Sequence, residues 1–335
     1  MKNQPIKLIN EIKQFIEKNN KFLIIQADNP DGDSISSALA MSEILSSLGK
    51  HSFLYCAVEV PGYLKFIPGW EKISSILPSS FDASIIVDTS SATLLENLNL
   101  SPEVSWVKSK PCLVLDHHKE VTCDIDYASI VSNNPDYAST GELIYNIAES
   151  LEWPINQLSA ELILQSILSD SLGLTSDIAG PDTYRTVAEL LEKGVSRAEL
   201  EEKRRRLSKM SEPVFRYKAE LMERTEFYYD TKIALAVIPE SELYDIGTQY
   251  NPGPLIMSEL LNIEGVQVAL AIKRYKNRVT AAIRCSQGTE IASDIASIYG
   301  GGGHPYAAGF RIDEFSEDFT KFKYELVNKI IDKLK

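Results

Sequence analysis

The sequence predicts an α/β protein: an N-terminal domain with a parallel sheet and flanking helices, followed by a smaller α+β domain. Three observations carry this reading. Short uninterrupted apolar runs alternate with helix-period stretches over residues 22–116. Helical patterns alone fill the stretch from residue 139 to about 226. A second group of strand-like runs then begins, and 335 residues are enough for two cores.

Taken in order, "FLIIQA" (22–27) reads as a strand and "SISSALAMSEILSSLG" (34–49) as a helix that stops at Gly49. "SFLYCAV" (52–58), "ASIIVD" (83–88) and "CLVLD" (112–116) are further strands. Strands apolar on both faces, separated by helices, belong in a parallel sheet, and such sheets gather ligands at the carboxyl ends of their strands. "STGELIYNIAESL", "QLSAELILQSILSDS" and "DTYRTVAELLEKG" read as helices, the last with Asp182 or Thr183 as N-cap. Residues 196–226 form a long polar helical stretch, broken near Pro213. Beyond it "KIALAVI", "VQVALAIKRY" and "RVTAAIRCS" read as strands, with helices near 254–262 and 291–299.

Composition excludes several classes. The longest apolar runs fall well short of the roughly 20 residues that span a bilayer, and the first residues lack the apolar core of a signal peptide, so a cytoplasmic location is expected. Four scattered cysteines without a CxxC pair argue against a zinc ribbon or a disulfide framework. A formal net charge of -13 disfavours duplex nucleic acid, whose phosphates would meet net repulsion. The basic run "EEKRRRLSK" (201–209) reads as a solvated helix face, because acids adjoin it; a contact for the tail of a single strand is the minority reading. Acidity does suit a protein that collects carboxylates around divalent cations.

The carboxylates are the informative residues. "QADNPDGDS" places Asp31 and Asp33 in a turn that leads into a helix; Asp88 ends one buried strand; Asp116, His117 and His118 end another; Asp170 follows the apolar helix "LILQSILSD". Each acid alone reads as a cap or turn residue. Together they load one edge of one sheet with like charge, which is unfavourable without counter-cations. Carboxylates with imidazole and no thiolate suit Mn²⁺ or Mg²⁺, and a close pair of such ions is a device for attacking phosphate esters.

In this order, DxD, an acid after a strand, DHH and the acid in "SDSLGLTSDIAGPDT", the sequence resembles the DHH phosphoesterase superfamily. "GGGGHPYAAGFRI" (300–312) is similar to the signature of the accompanying DHHA1 domain. The resemblance covers nearly the whole chain and is nearest to the nanoRNase and pAp-phosphatase-like branch; with the change of pattern marking 196–226 as a helical connector, it implies a DHH domain over 1–195 and a substrate-binding DHHA1 domain over 227–335. It further implies two Mn²⁺ per chain, with Mg²⁺ as the other candidate. Asp31 would bind one ion and Asp33 the other, Asp88 would bridge them, and His117 and Asp170 would complete the second site. His118 would meet the scissile phosphate or assist the leaving group, and Asp116 would orient its neighbouring histidine. One position departs from the pattern: where the family commonly has a histidine ligand, this chain has Ala27, leaving Gln26, Asp28 or a water to fill the place.

The glycine run Gly300–Gly303 before His304 suits close approach of backbone N–H groups to an anion; a turn between helix and strand is the plainer alternative. By resemblance, Gly301, Gly302, Gly303, His304 and Arg284 would hold the substrate, between the domains, and a guanidinium is chemically apt for a terminal phosphate. The expected function is a Mn²⁺-dependent phosphoesterase that cleaves short oligoribonucleotides from an end, or small nucleotides such as pAp or linear or cyclic dinucleotides, by in-line attack of hydroxide. Its partners would be short single-stranded RNA or small nucleotides, without duplex or membrane, and a homodimer through the N-terminal domain stays open. The alternatives are a non-catalytic nucleotide-binding regulator with a degraded first metal site, and an inorganic pyrophosphatase or exopolyphosphatase.

Overall fold

Six short strands, β1 (Lys21–Ile25), β2 (His51–Tyr55), β3 (Ile73–Ser74), β4 (Ala83–Val87), β5 (Cys112–Asp116) and β6 (Ile130–Asn133), form the first sheet. They come from a computed structural model that describes residues 4–118, 122–207, 209–245 and 252–335. The order is β3-β2-β1-β4-β5-β6, and every pairing is parallel. Because the chain leaves β1 for β2 on one side and returns to β4 on the other, the connections diverge between β1 and β4. That divergence opens a crevice at the carboxyl ends, where ligands of open α/β sheets bind.

The central strands are buried on both faces, which is why their sequences are continuous apolar runs rather than alternating ones. Ile24, Ile85, Leu113 and Leu115 pack under the helices Gly32–Ser47, Thr140–Ser150 and Gln157–Asp170. Leu23, Ile25, Ile86 and Val114 face the opposite layer with Phe81, Leu95 and Val107. Each such side chain contributes about 1.5–3 kcal/mol of transfer free energy. β3 and β6 are edge strands of two and four residues, too short to carry a periodic strand signal.

The second sheet is built from β7 (Glu226–Tyr228), β8 (Ile233–Pro239), β9 (Val268–Arg274), β10 (Arg278–Cys285), β11 (Gly302–His304) and β12 (Ala307–Asp313). Its order is β11-β12-β10-β9-β8-β7, with β8 and β9 parallel and the other pairs antiparallel. Ile233, Leu235, Val279 and Ile283 pack with the helices Ala292–Ile298 and Phe319–Leu334 on one face. Ala234, Ala236, Ala269 and Ala271 pack with the helices Glu212–Glu223 and Pro252–Leu261 on the other.

The chain divides into two compact units, residues 1–209 and 210–335. The polar stretch 196–226 is two helices, Arg197–Leu207 and Glu212–Glu223, one in each unit. Pro213 sits in the first turn of the second, where a missing N–H removes no helical bond. Pro181 likewise starts the helix Pro181–Glu192, so the N-cap is Gly180 and not Asp182 or Thr183 as the sequence suggested. Residues 201–207 of the basic run lie on the helix Arg197–Leu207, where Arg204 and Arg205 both bond Glu201 and Lys203 bonds Glu161. Among the described residues no helix is long and apolar enough to cross a membrane.

Candidate active site

Four elements end or begin at the carboxyl edge of the first sheet, and each delivers an acid or an imidazole. Asp31 is the N-cap of the helix Gly32–Ser47: its Oδ1 accepts from Ser34 N at 3.0 Å, and Ser34 Oγ accepts from Asp31 N at 3.0 Å. Two residues later Asp33 falls in the first turn and is fully buried. Asp88 follows β4 with φ of 63°, a left-handed conformation, and its N–H donates to Leu115 O at 2.8 Å. This turn is uncommon for a non-glycine residue and departs from the helix-cap geometry that an acid after a strand usually adopts. Asp116 closes β5, His117 and His118 follow it, and Asp170 is the last residue of the helix Gln157–Asp170.

These side chains converge. His117 Nε2 lies 3.0 Å from Asp170 Oδ2, 3.4 Å from Asp33 Oδ2 and 3.7 Å from Asp88 Oδ1. Two trios, Asp33–His117–Asp170 and Asp88–His117–His118, each offer one ligand atom per residue within 4.8 Å of the others. His117 Nδ1 is 3.2 Å from Tyr137 O; since a carbonyl only accepts, Nδ1 carries a proton and Nε2 is the nitrogen turned toward the acids. Although close to three carboxylates, buried Nε2 has no hydrogen-bond partner of acceptable geometry, and neither has buried Asp116 Oδ2. A buried imidazole nitrogen left without a hydrogen-bond partner amid carboxylates fits a hard divalent cation, and no cysteine enters either trio.

Asp116 Oδ1 is occupied differently. It accepts from His117 N at 2.8 Å, His118 N at 3.2 Å and His118 Nδ1 at 2.7 Å, which fixes the His118 ring. Burial would raise the Asp116 carboxyl, but the hydrogen bonds and charge around it, those of His118 foremost, together outweigh it and hold the group below its ordinary value. In return the Asp116 bond raises His118 against the effect of burial.

Asp31, Asp88 and Asp170 behave in the opposite way. Burial, reinforced by repulsion from Asp33, pushes Asp88 well above the carboxylate range, pushes Asp31 up, and takes Asp170 to about 6. Burial opposes protonation of His117, yet Asp170 and Asp33 outweigh it and lift the imidazole to about 9. Such a site is short of positive charge, which protons supply in the metal-free chain and a divalent cation would supply instead.

Asp31 is close enough to repel Asp88 and Asp170 but belongs to neither trio. Ala27 is buried, and its carbonyl accepts from Cys56 Sγ at 3.4 Å. Of its neighbours, Asp28 Oδ2 accepts from Asn97 N at 2.8 Å, whereas buried Gln26 has neither amide atom partnered. In the second unit Arg284 is half-buried on β10, where burial draws its guanidinium pKa down and Nη1 donates to Ile283 O at 2.9 Å. The sheet register aligns Arg284 with Ala307, and Ala307 with His304, whose side chain lies outside the described part. Steric demand explains two of the glycines: a Cβ at Gly301 would stand 2.2 Å from Gly309 O, and one at Gly303 2.6 Å from Ala307 O. Gly302 meets no such obstacle.

Sequence reasoning missed the hydroxyls beneath the acids. Asp33 Oδ1 accepts from Ser37 Oγ at 2.7 Å and Ser166 Oγ at 2.6 Å; Asp33 Oδ2 accepts from Thr140 N at 2.8 Å. Thr140 Oγ1 donates to Asp88 Oδ1 at 2.9 Å. A signal existed, because "STGE" has the S-x-x-E spacing of a helix start and Ser139 does cap Glu142 N at 3.1 Å. That spacing says where the helix begins but not what it faces.

Buried carboxylates and imidazoles gathered at the switch point of a parallel sheet define a class of protein, the metal-dependent hydrolases of phosphate esters. Within that class the chain belongs to the DHH family: the DHH family N-terminal domain matches residues 21–168 and the DHHA1 domain residues 241–333. It is 26% identical over 308 residues to the bifunctional oligoribonuclease and PAP phosphatase NrnA of Thermus thermophilus, covering 91% of this chain and 88% of that one. The protein of the same name from Bacillus subtilis is 22% identical, over 86% of this chain and 88% of its own. Among solved structures, an exopolyphosphatase-related protein from Bacteroides fragilis superposes over 100% of both chains with a TM-score of 0.86 at 21% identity, a likeness of fold.

Proposed function

We propose that this chain is a Mn²⁺-dependent phosphoesterase that releases mononucleotides from short oligoribonucleotides, and that it also accepts small nucleotides such as pAp. The observation that carries the reading is the convergence of Asp33, Asp88, Asp170, His117 and His118 into two overlapping ligand trios. The names of the Thermus and Bacillus relatives support the substrate class.

Asp33, His117 and Asp170 would hold one ion, Asp31 the other, and Asp88 both. When bound, the cations activate water and neutralise phosphate oxygens. His118, whose ring Asp116 fixes and whose pKa the same bond raises, would offer Nε2 to a phosphate or leaving oxygen. Asp33, locked by two hydroxyls and a backbone N–H, keeps its orientation throughout. Taken by itself, the second unit offers groups that would suit a phosphate: Arg284 a forked guanidinium and Gly302 an unobstructed backbone.

The test is release of mononucleotide from a 5′-labelled RNA dinucleotide with added Mn²⁺, comparing the unaltered protein with Asp88→Ala and His117→Ala. Turnover in the first that falls at least about 100-fold in both variants supports the reading. A folded protein inert on the dinucleotide and on pAp defeats it, and retained nucleotide binding would then favour a regulator, the outcome that Ala27 in the ligand series would explain.

A further inference from the structure

We propose that Thr140 is a positioning residue that sets the orientation of two cation-binding carboxylates at once. The proposal rests on the metal-dependent reading above. Thr140 is fully buried, and its two donors go to different acids: Oγ1–H to Asp88 Oδ1 at 2.9 Å, and N–H to Asp33 Oδ2 at 2.8 Å. Those acids reach the site from separate elements, one after β4 and one from the helix Gly32–Ser47. Thr140 is therefore a ruler between them.

Three features separate this role from ordinary helix capping. Ser139 already caps the helix Thr140–Ser150 through Glu142 N, so the Thr140 hydroxyl is not needed there. Asp88 occupies a left-handed conformation that L-residues hold only when the surroundings impose it, and its contacts include the Thr140 hydroxyl and Leu115 O. Gly141 brings the helix start as close to the acids as a backbone can come, since a Cβ there would lie 2.2 Å from Ser166 Oγ, itself bonded to Asp33. By filling one acceptor position on each carboxylate, Thr140 aims the remaining lone pairs at the ions.

The experiment is Mn²⁺ titration of the full chain by isothermal calorimetry and by the electron paramagnetic resonance of free Mn²⁺, with folding checked by tryptophan fluorescence. Thr140→Val keeps the shape and removes the donor; its Mn²⁺ affinity is expected to fall about 10–100-fold. Thr140→Ser keeps the donor and should bind nearly as the unaltered protein does. Affinity unchanged in the valine variant, or lowered equally in valine and serine, overturns the proposal. If the valine variant does not fold, Thr140→Ala against Thr140→Ser makes the same comparison, and equal affinities overturn it. A failure of the unaltered protein to bind Mn²⁺ defeats the metal-dependent reading itself, whereas binding indifferent to the hydroxyl defeats only the role of Thr140.

Discussion

Replacing Gly141 by alanine tests the packing that supports the site. The new Cβ would stand 2.2 Å from Ser166 Oγ and 2.6 Å from Ser166 Cβ. Rotating the serine hydroxyl away cannot relieve the second contact, so the helices must part or the backbone must shift, at about 1–3 kcal/mol. Separation also weakens the bonds from Ser166 Oγ to Asp33 Oδ1 at 2.6 Å and from Gly141 N to Ser166 Oγ at 3.0 Å, of which the charged one contributes about 1.5–3 kcal/mol. Alanine returns about 1 kcal/mol of helix propensity. The net expectation is roughly 2–4 kcal/mol of destabilisation, or a fall of about 5–15 °C in Tm for a unit of this size. All three tryptophans, Trp70, Trp106 and Trp153, lie in the first unit, so tryptophan fluorescence during urea unfolding reports that unit alone. Gly141→Ala combined with Ser166→Gly should be less destabilised than the sum of the two changes, because the second removes the obstacle. An unchanged urea midpoint for Gly141→Ala would refute the close-contact argument.

Further predictions concern charge and substrate. In the metal-free chain Asp170 is raised to about 6 and His117 to about 9, so the folded state binds more protons than the unfolded one over this range. The stability from Asp170 is present below its unfolded pKa and is lost as pH rises through about 6; that from His117 is lost from near 6.5 through about 9. Urea midpoints of the chelator-treated protein should therefore fall from pH 5 to 9, and Mn²⁺ affinity should rise over the same interval as ions displace protons. A midpoint that climbs over this range would contradict the assignment. Arg284→Ala should raise KM for the dinucleotide by about tenfold or more while Mn²⁺ affinity stays unchanged, since the bonds proposed for Arg284 are charge-assisted and this residue lies in the second unit. Calorimetry and initial rates check the two halves of that statement.

How much of the candidate site was legible follows from where its residues sit. Asp88 and the Asp116–His118 group could be placed because each follows an apolar run whose burial is written locally, residue after residue. The pair Asp31 and Asp33 was legible as a turn, but not the division between them. One intervening residue turns a helix start by about 200° in all, leaving Asp31 at the cap and Asp33 buried among Ser37, Ser166 and Thr140. The N-cap of the helix Pro181–Glu192 was misplaced because a proline in the first turn shifts the cap to the residue before it.

By itself, then, the sequence determined the chemistry brought to the sheet edge: which strands are buried, and which acids and imidazoles follow them. These are properties of local pattern, since apolar runs and breaks act within a few residues. Only the tertiary structure decided how those groups are held. The tautomer of His117 depends on the carbonyl of Tyr137, and the pose of Asp88 on the hydroxyl of Thr140. Such partners are met by packing one helix end against a strand end, and a hydrogen bond between distant segments leaves no period or composition in the chain to reveal it.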